Sequence, residues 1–152
     1  MTSDRALRVS AFGFALFFTL VVVLGYIPGL NAAAHQHHAA GSDPTEHMLL
    51  GRYVISLLDD VTHGMTAILL AVASLHSARM SRLALTAFGW YYCTDAVIYL
   101  VTGVLQQSAI VANLLLNLPH VVLSSIMLGL AYRGRANVSR VDLLPVGVQT
   151  AG

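Results

Sequence analysis

The sequence predicts an all-α fold, a four-transmembrane-helix antiparallel bundle with both termini cytoplasmic, and three observations carry that expectation. Hydrophobic residues make up 57% of the 152-residue chain and charged residues only 10%, where soluble domains carry about 25%. Four apolar stretches approach the roughly 20 residues needed to cross about 30 Å of hydrocarbon. The cations are all arginine, and threading the chain through four spans leaves Arg52 alone on one side. Arg5, Arg8, Arg79, Arg82, Arg133, Arg135 and Arg140 fall on the other, the cytoplasmic one by the positive-inside rule. The mean hydropathy of +0.72 agrees. This composition excludes an ordinary soluble domain, a disordered chain and a coiled coil. A net charge of +1 gives a nucleic-acid partner nothing to hold. The single cysteine, Cys93, excludes an internal disulfide and any multi-thiolate metal site.

After a cytoplasmic stretch over residues 1–8, the first helix is expected at about 9–30. Gly25-Tyr26-Ile27-Pro28-Gly29 closes it, since proline removes a backbone donor and glycine tolerates a turn. Its apolar run exceeds the 7–15 residues of a signal-peptide core, so Ala32-Ala33-Ala34 is read as loop rather than cleavage site. An outer histidine-rich loop covers 31–52, and further helices are expected at 53–77, 83–104 and 108–132, before a cytoplasmic tail over 133–152. The joints are short, which favours antiparallel neighbours. Gly64, Ala67, Ala71 and Ser74 in the second helix and Gly89 in the third permit close helix approach.

Ionisable residues inside a bilayer are costly, about 2.5–3.5 kcal/mol for aspartate at a helix centre, and they concentrate at functional sites. Asp59 and Asp60 stand four and three residues before His63, close enough to share a helical face with it. The third helix carries Asp95 with Tyr91, Tyr92, Tyr99 and Thr102 at helical spacings. The fourth carries Asn113, Asn117, His120 and Ser124, and Pro119 frees the carbonyl of Leu115. At 1.5 Å of rise per residue, His63, Asp95 and His120 all lie roughly 13–18 Å below the outer helix ends. One cluster in the outer half of the membrane follows.

Three chemistries suit it. Aspartates, histidines and tyrosines can form a buried hydrogen-bond network that fixes helix packing. Alternatively, Asp60, His63, Asp95 and His120, supported by Asp59, Asn117 and Tyr92, supply donors for zinc, copper or iron. A b-type haem between His63 and His120, with Gly64 and Gly89 making room, is the third. A proton path is disfavoured, because the inner half of the second helix offers only Thr66, Ser74 and His76. The outer loop adds His35, His37, His38 and His47 as a possible metal-capture tract, or simply as an exposed polar loop. Cys93 and Trp90 read as packing residues, His76 as interfacial, and Tyr26, Tyr53 and Tyr132 as interface anchors. No nucleotide loop, nucleophile elbow or zinc-protease signature is present, so catalysis is not the leading expectation.

Gly25-Tyr26-Ile27-Pro28-Gly29, His63-Gly64, Phe88-Gly89-Trp90-Tyr91 and the trio Asn113, Asn117 and His120 resemble an uncharacterised family of small actinobacterial-type four-helix membrane proteins. The resemblance covers about residues 11–132 and implies a four-helix fold in a bacterial inner membrane, with no activity attached. Asp95, Pro119 and the histidine-rich loop depart from that pattern. The expected role is a metal-binding or accessory membrane protein. The alternative is a purely structural subunit of a larger membrane complex, with a b-type haem protein or a metal-dependent membrane enzyme ranked below it. Membrane lipid, a larger complex or a second copy of the chain are the expected partners.

Overall fold

The computed structural model describes residues 3–27, 47–50, 53–106 and 109–133. Four helices pack together: α1 (Ser3–Gly25), α2 (Leu57–His76), α3 (Ala78–Leu105) and α4 (Ile110–Arg133), with a small hairpin of β1 (His47–Leu49) and β2 (Tyr53–Ile55) before α2. Of the helices, α1, α2 and α4 are long and apolar enough to cross a membrane. With 28 residues, α3 has the length, but its polar aromatics and Asp95 dilute the apolar run.

The first helix begins and ends earlier than the apolar run suggests. Asp4 in its first turn complements the positive end of the helix dipole, so the turn carrying Arg5 and Arg8 is helical too. At the other end Tyr26 N–H donates to Val23 O at 3.1 Å and Ile27 N–H to Leu24 O at 3.4 Å. This tightened last turn stops the helix before Pro28, as a proline disfavours helical backbone in the residue preceding it.

The second helix starts later than expected because a hairpin occupies its predicted beginning. Tyr53, Val54 and Ile55 suit a strand and pair antiparallel with β1 in the register Leu49↔Tyr53, Met48↔Val54 and His47↔Ile55. Leu50 turns the chain with φ 54. Ser56 then opens α2 through a reciprocal capping box: its hydroxyl accepts from Asp59 N–H, and the Asp59 carboxylate accepts from Ser56 N–H at 2.9 Å. One residue, Ser77, separates α2 from α3. Its extended backbone and its hydroxyl, accepting from Met80 N–H at 3.2 Å, end one helix and begin the next. That is why α3 starts at Ala78, carrying Arg79 and Arg82 within it.

Side-chain contacts fix the directions. Arg8 on α1 donates to Ser74 O at 2.7 Å and Leu75 O at 3.2 Å, near the end of α2, while Tyr26 reaches Asp60 near its start. These helices are antiparallel, and Arg8 satisfies carbonyls at the negative end of α2. On α3 and α4, Gly89 faces Met127 and Leu128 whereas Leu100 faces Asn113, again antiparallel. All four helices contribute to the core, with Ala11, Phe18, Leu70, Leu85 and Met127 almost fully buried. The α1–α2 and α3–α4 interfaces are the most extensive, and α1 and α4 meet only sparsely. Outward-facing positions are apolar too: Leu58, Leu75 and Leu105 are each more than 70% exposed. A surface of this kind suits hydrocarbon rather than water.

Candidate functional site

Each helix contributes one ring to a single stack. Tyr92 of α3 is 2% exposed and lies nearly parallel to three other rings. Its centroid is 5.1 Å from Phe18 on α1, 6.1 Å from His63 on α2 and 5.6 Å from His120 on α4. Phe18 and His63 also stack, at 5.6 Å. These spacings lie in the range of offset-stacked aromatic pairs, each worth about 0.5–1.5 kcal/mol beyond area burial.

The polar groups around the stack are satisfied mostly in pairs. Thr66 donates its hydroxyl proton to Thr62 O at 2.8 Å, so in the 3.2 Å contact between Thr66 and Tyr92 the phenol is the donor. His120 Nδ1 lies 3.1 Å from Asp95 Oδ2. The two atoms are within ion-pair distance, an ion pair only when the imidazole is protonated, and the ring nitrogen is not aligned for a hydrogen bond. His63 Nδ1 is buried with no hydrogen-bond partner among the described residues. Asp60 Oδ2 accepts from Tyr26 O–H at 2.6 Å, and Asp59 is engaged in the α2 cap. Asn117 donates to the carbonyl and side-chain oxygen of Asn113 at 2.9 and 2.8 Å, and Asn113 donates across to Leu100 O on α3 at 3.1 Å. Further in, Leu70, Leu85 and Met127 are fully buried, an apolar layer separating the stack from the Arg8–Ser74 end.

The expected ligand set is therefore distributed differently from the sequence reading. His63 and His120 meet at one level as expected, but through the Tyr92 ring that each touches. Asp95 joins His120, and Asp60 is bonded to the Tyr26 side of α1. Among the described residues, no three His, Cys, Asp or Glu side chains form a group that could hold a metal ion. The room expected at Gly89 is filled: a β-carbon there would stand 2.8 Å from Leu128 Cγ. Gly64 does have open space. His35, His37 and His38 lie outside the described residues, and His47 is described only as backbone of β1. Trp90 is 53% exposed yet does engage another helix, donating from Nε1 to Tyr132 Oη at 3.1 Å. Two participants are not marked as site residues by the sequence. Phe18 lies in a charge-free run whose polar residues between 9 and 25, Ser10 and Thr19, give too little contrast to mark its face. Tyr26 reads as an interface anchor, yet it donates to Asp60; the aspartate three residues ahead of His63 was the available signal.

The Tyr26 phenol is held above its usual value near 10, first because its proton is donated to Asp60, then through burial and the carboxylate's charge. A raised folded-state value means the contact stabilises the fold below about pH 10 and loses that contribution as pH rises through the shifted value. Melting of the wild type and Tyr26→Phe in detergent, from pH 8 to 12, checks this. The wild-type advantage is expected to shrink above pH 10; an advantage that grows there contradicts the assignment.

No family model, curated protein or solved structure matches this chain.

Proposed function

We propose that this chain is a small, non-catalytic accessory protein of a bacterial inner membrane, in which the outer-half Asp/His/Tyr cluster fixes the register of four spanning helices. The observation carrying this reading is the stack itself, one ring from each helix, with Asp60 and Asp95 drawn to different partners rather than converging on a point. In this reading α3 is the fourth span, since its aspartate is matched by His120. Arg5, Arg8, Arg79, Arg82 and Arg133 occupy one end of the bundle, which the positive-inside rule makes cytoplasmic, with both termini there. The resemblance to the uncharacterised four-helix family fits such a role. Register devices of this sort are a well-attested use of buried polar groups. Purification from membranes at native expression level in mild detergent tests the accessory role. The chain is expected to elute within a larger assembly; elution as a lone monomer with a stoichiometric metal overturns the reading.

A second reading has one specific observation in its favour, the unpartnered Nδ1 of His63 near the Asp95–His120 pair. It takes zinc, copper or iron at His63, His120 and Asp95, with Asp60 joining after side-chain rotation and His35, His37, His38 and His47 capturing the ion outside. Metal analysis of untagged protein after reconstitution decides it. About one equivalent, lost in His63→Ala and His120→Ala, supports the site, and none in the wild type rejects it.

A further inference from the structure

Where α1 and α4 diverge they leave an open groove of about 260 Å³, lined by Ser10, Gly13, Phe14 and Phe17 on one side and Leu123 and Leu130 on the other. Its walls are almost wholly apolar, and at Gly13 a β-carbon would meet nothing within 4 Å. The N-terminus of α1 and the C-terminus of α4 lie at the same end of the bundle, so Ser10 and Leu130 mark the groove's arginine end. Arg133 stands about 4–5 Å beyond Leu130 along α4, at 1.5 Å per residue, whereas Arg5 lies roughly 130° around α1 from the residues that line the groove. Both are exposed, and neither has a hydrogen bond or ion pair among the described residues. Arg8, by contrast, is committed to Ser74 and Leu75. Among the described residues Asp4 is the one acid at this end, set against five arginines.

We propose that this groove seats an anionic glycerophospholipid of the arginine-side leaflet, one acyl chain lying along Gly13, Phe14 and Phe17 and the phosphate held by Arg133. The inference rests on the membrane-spanning reading and gives the bundle a specific lipid partner. Charge complementarity selects the occupant. An apolar trough ending at an uncommitted guanidinium group, at an end with five arginines and one acid among the described residues, matches a molecule with a hydrocarbon tail and a negative head. A second copy in the same orientation would bring its own arginines to the same level, and like charges would oppose it.

Native mass spectrometry of the detergent-extracted, delipidated chain tests the proposal, with phosphatidylglycerol and phosphatidylcholine of identical acyl chains as probes. The wild type is expected to retain one phosphatidylglycerol in preference to phosphatidylcholine. Arg133→Gln is expected to lower that preference roughly fivefold, the pull one basic residue exerts on anionic headgroups at a membrane surface, whereas Arg5→Gln, on another face of α1, is expected to leave it unchanged. Gly13→Leu fills the trough without meeting a neighbour and is expected to reduce retention of both lipids while far-UV circular dichroism stays unchanged. Equal retention of the two lipids by the wild type, or unaltered retention in Gly13→Leu, overturns the proposal. So does efficient disulfide dimerisation of Gly13→Cys in a Cys93→Ala background, which would put a second copy in the groove. Carbonate extraction of membranes, run alongside, separates the two levels: a chain that stays in the membrane without lipid preference overturns the lipid seat alone, and a chain released overturns the spanning reading as well.

Discussion

Tyr92→Ala is expected to destabilise the bundle by about 3 kcal/mol, the low end for truncating a buried aromatic. The low end applies because lipid tails are as apolar as a protein core, so the transfer term that drives folding in water is weak between membrane helices. What remains is packing. Among the described residues Tyr92 is the one ring touching rings on all three other helices, and its removal leaves Phe18, His63 and His120 facing a void. Each loses dispersion contacts that no neighbour replaces. Tyr92→Phe keeps the stack and deletes only the donation to Thr66. Its cost is expected to be about 0.6 kcal/mol, the average for hydrogen bonds between membrane helices. Unfolding in mixed micelles, followed by far-UV circular dichroism, measures both. A Tyr92→Ala variant within 1 kcal/mol of wild type would show that the stack does not hold the helices together, and with it the register role would fall.

Much of this arrangement is legible in the sequence, and the parts that are not share a physical cause. Span lengths follow from runs of apolar residues, so three of the four helices meet the spanning criterion on length and composition. Depth is equally readable, because rise per residue is fixed; His63, Tyr92 and His120 share a level for that reason. Rotation about the helix axis is what apolar sequence conceals. Asp59 and Asp60 differ by 100° around α2 and flank the His63 direction on opposite sides. One turns back to cap the helix and the other turns to Tyr26, so neither joins the imidazoles. Phe18 sits among residues mostly at home in lipid, and its neighbour Thr19, bonded back to Ala15 O of its own helix, marks no inward side. The hairpin was concealed differently. Tyr53-Val54-Ile55 extends the apolar run of α2, and only the Ser56–Asp59 capping box, a local signal of a helix start, separates strand from helix.

The pairing of His120 with Asp95 and of Tyr26 with Asp60 also explains how a chain this apolar tolerates acids within its spans. Asp95 meets His120 of α4 and Asp60 meets Tyr26 just past the end of α1, while Asp59 is held in the cap of its own helix. The contacts therefore tie α3 to α4 and α1 to α2, the same two pairs that make the broadest apolar interfaces. Polar and apolar terms select one pairing. Agreement between levels of this kind is what gives a sequence a single fold.

Gly89→Leu is expected to part α3 from α4, at a cost of about 1–3 kcal/mol for overpacking. A β-carbon at this position would stand 2.8 Å from Leu128 Cγ, 2.9 Å from Leu128 Cδ2 and 3.2 Å from Met127 Cβ. The Leu128 side chain can swing aside, but Met127 Cβ is fixed by its backbone and Met127 is fully buried. Three further carbons of a leucine side chain have nowhere to go unless the helices separate. Trp90, the chain's one tryptophan, reports the separation directly, since its indole donates to Tyr132 across the same interface. Its emission is expected to shift as that bond is lost, alongside a lower melting temperature. Gly64→Leu is the control. No atom lies within 4 Å of a β-carbon there, and leucine is the better helix former by about 0.8 kcal/mol. It should leave stability unchanged or slightly raised. If both leucine variants melt alike and Trp90 emission stays put, close contact at Gly89 does not set the α3–α4 spacing, and the glycine's role there must be sought elsewhere.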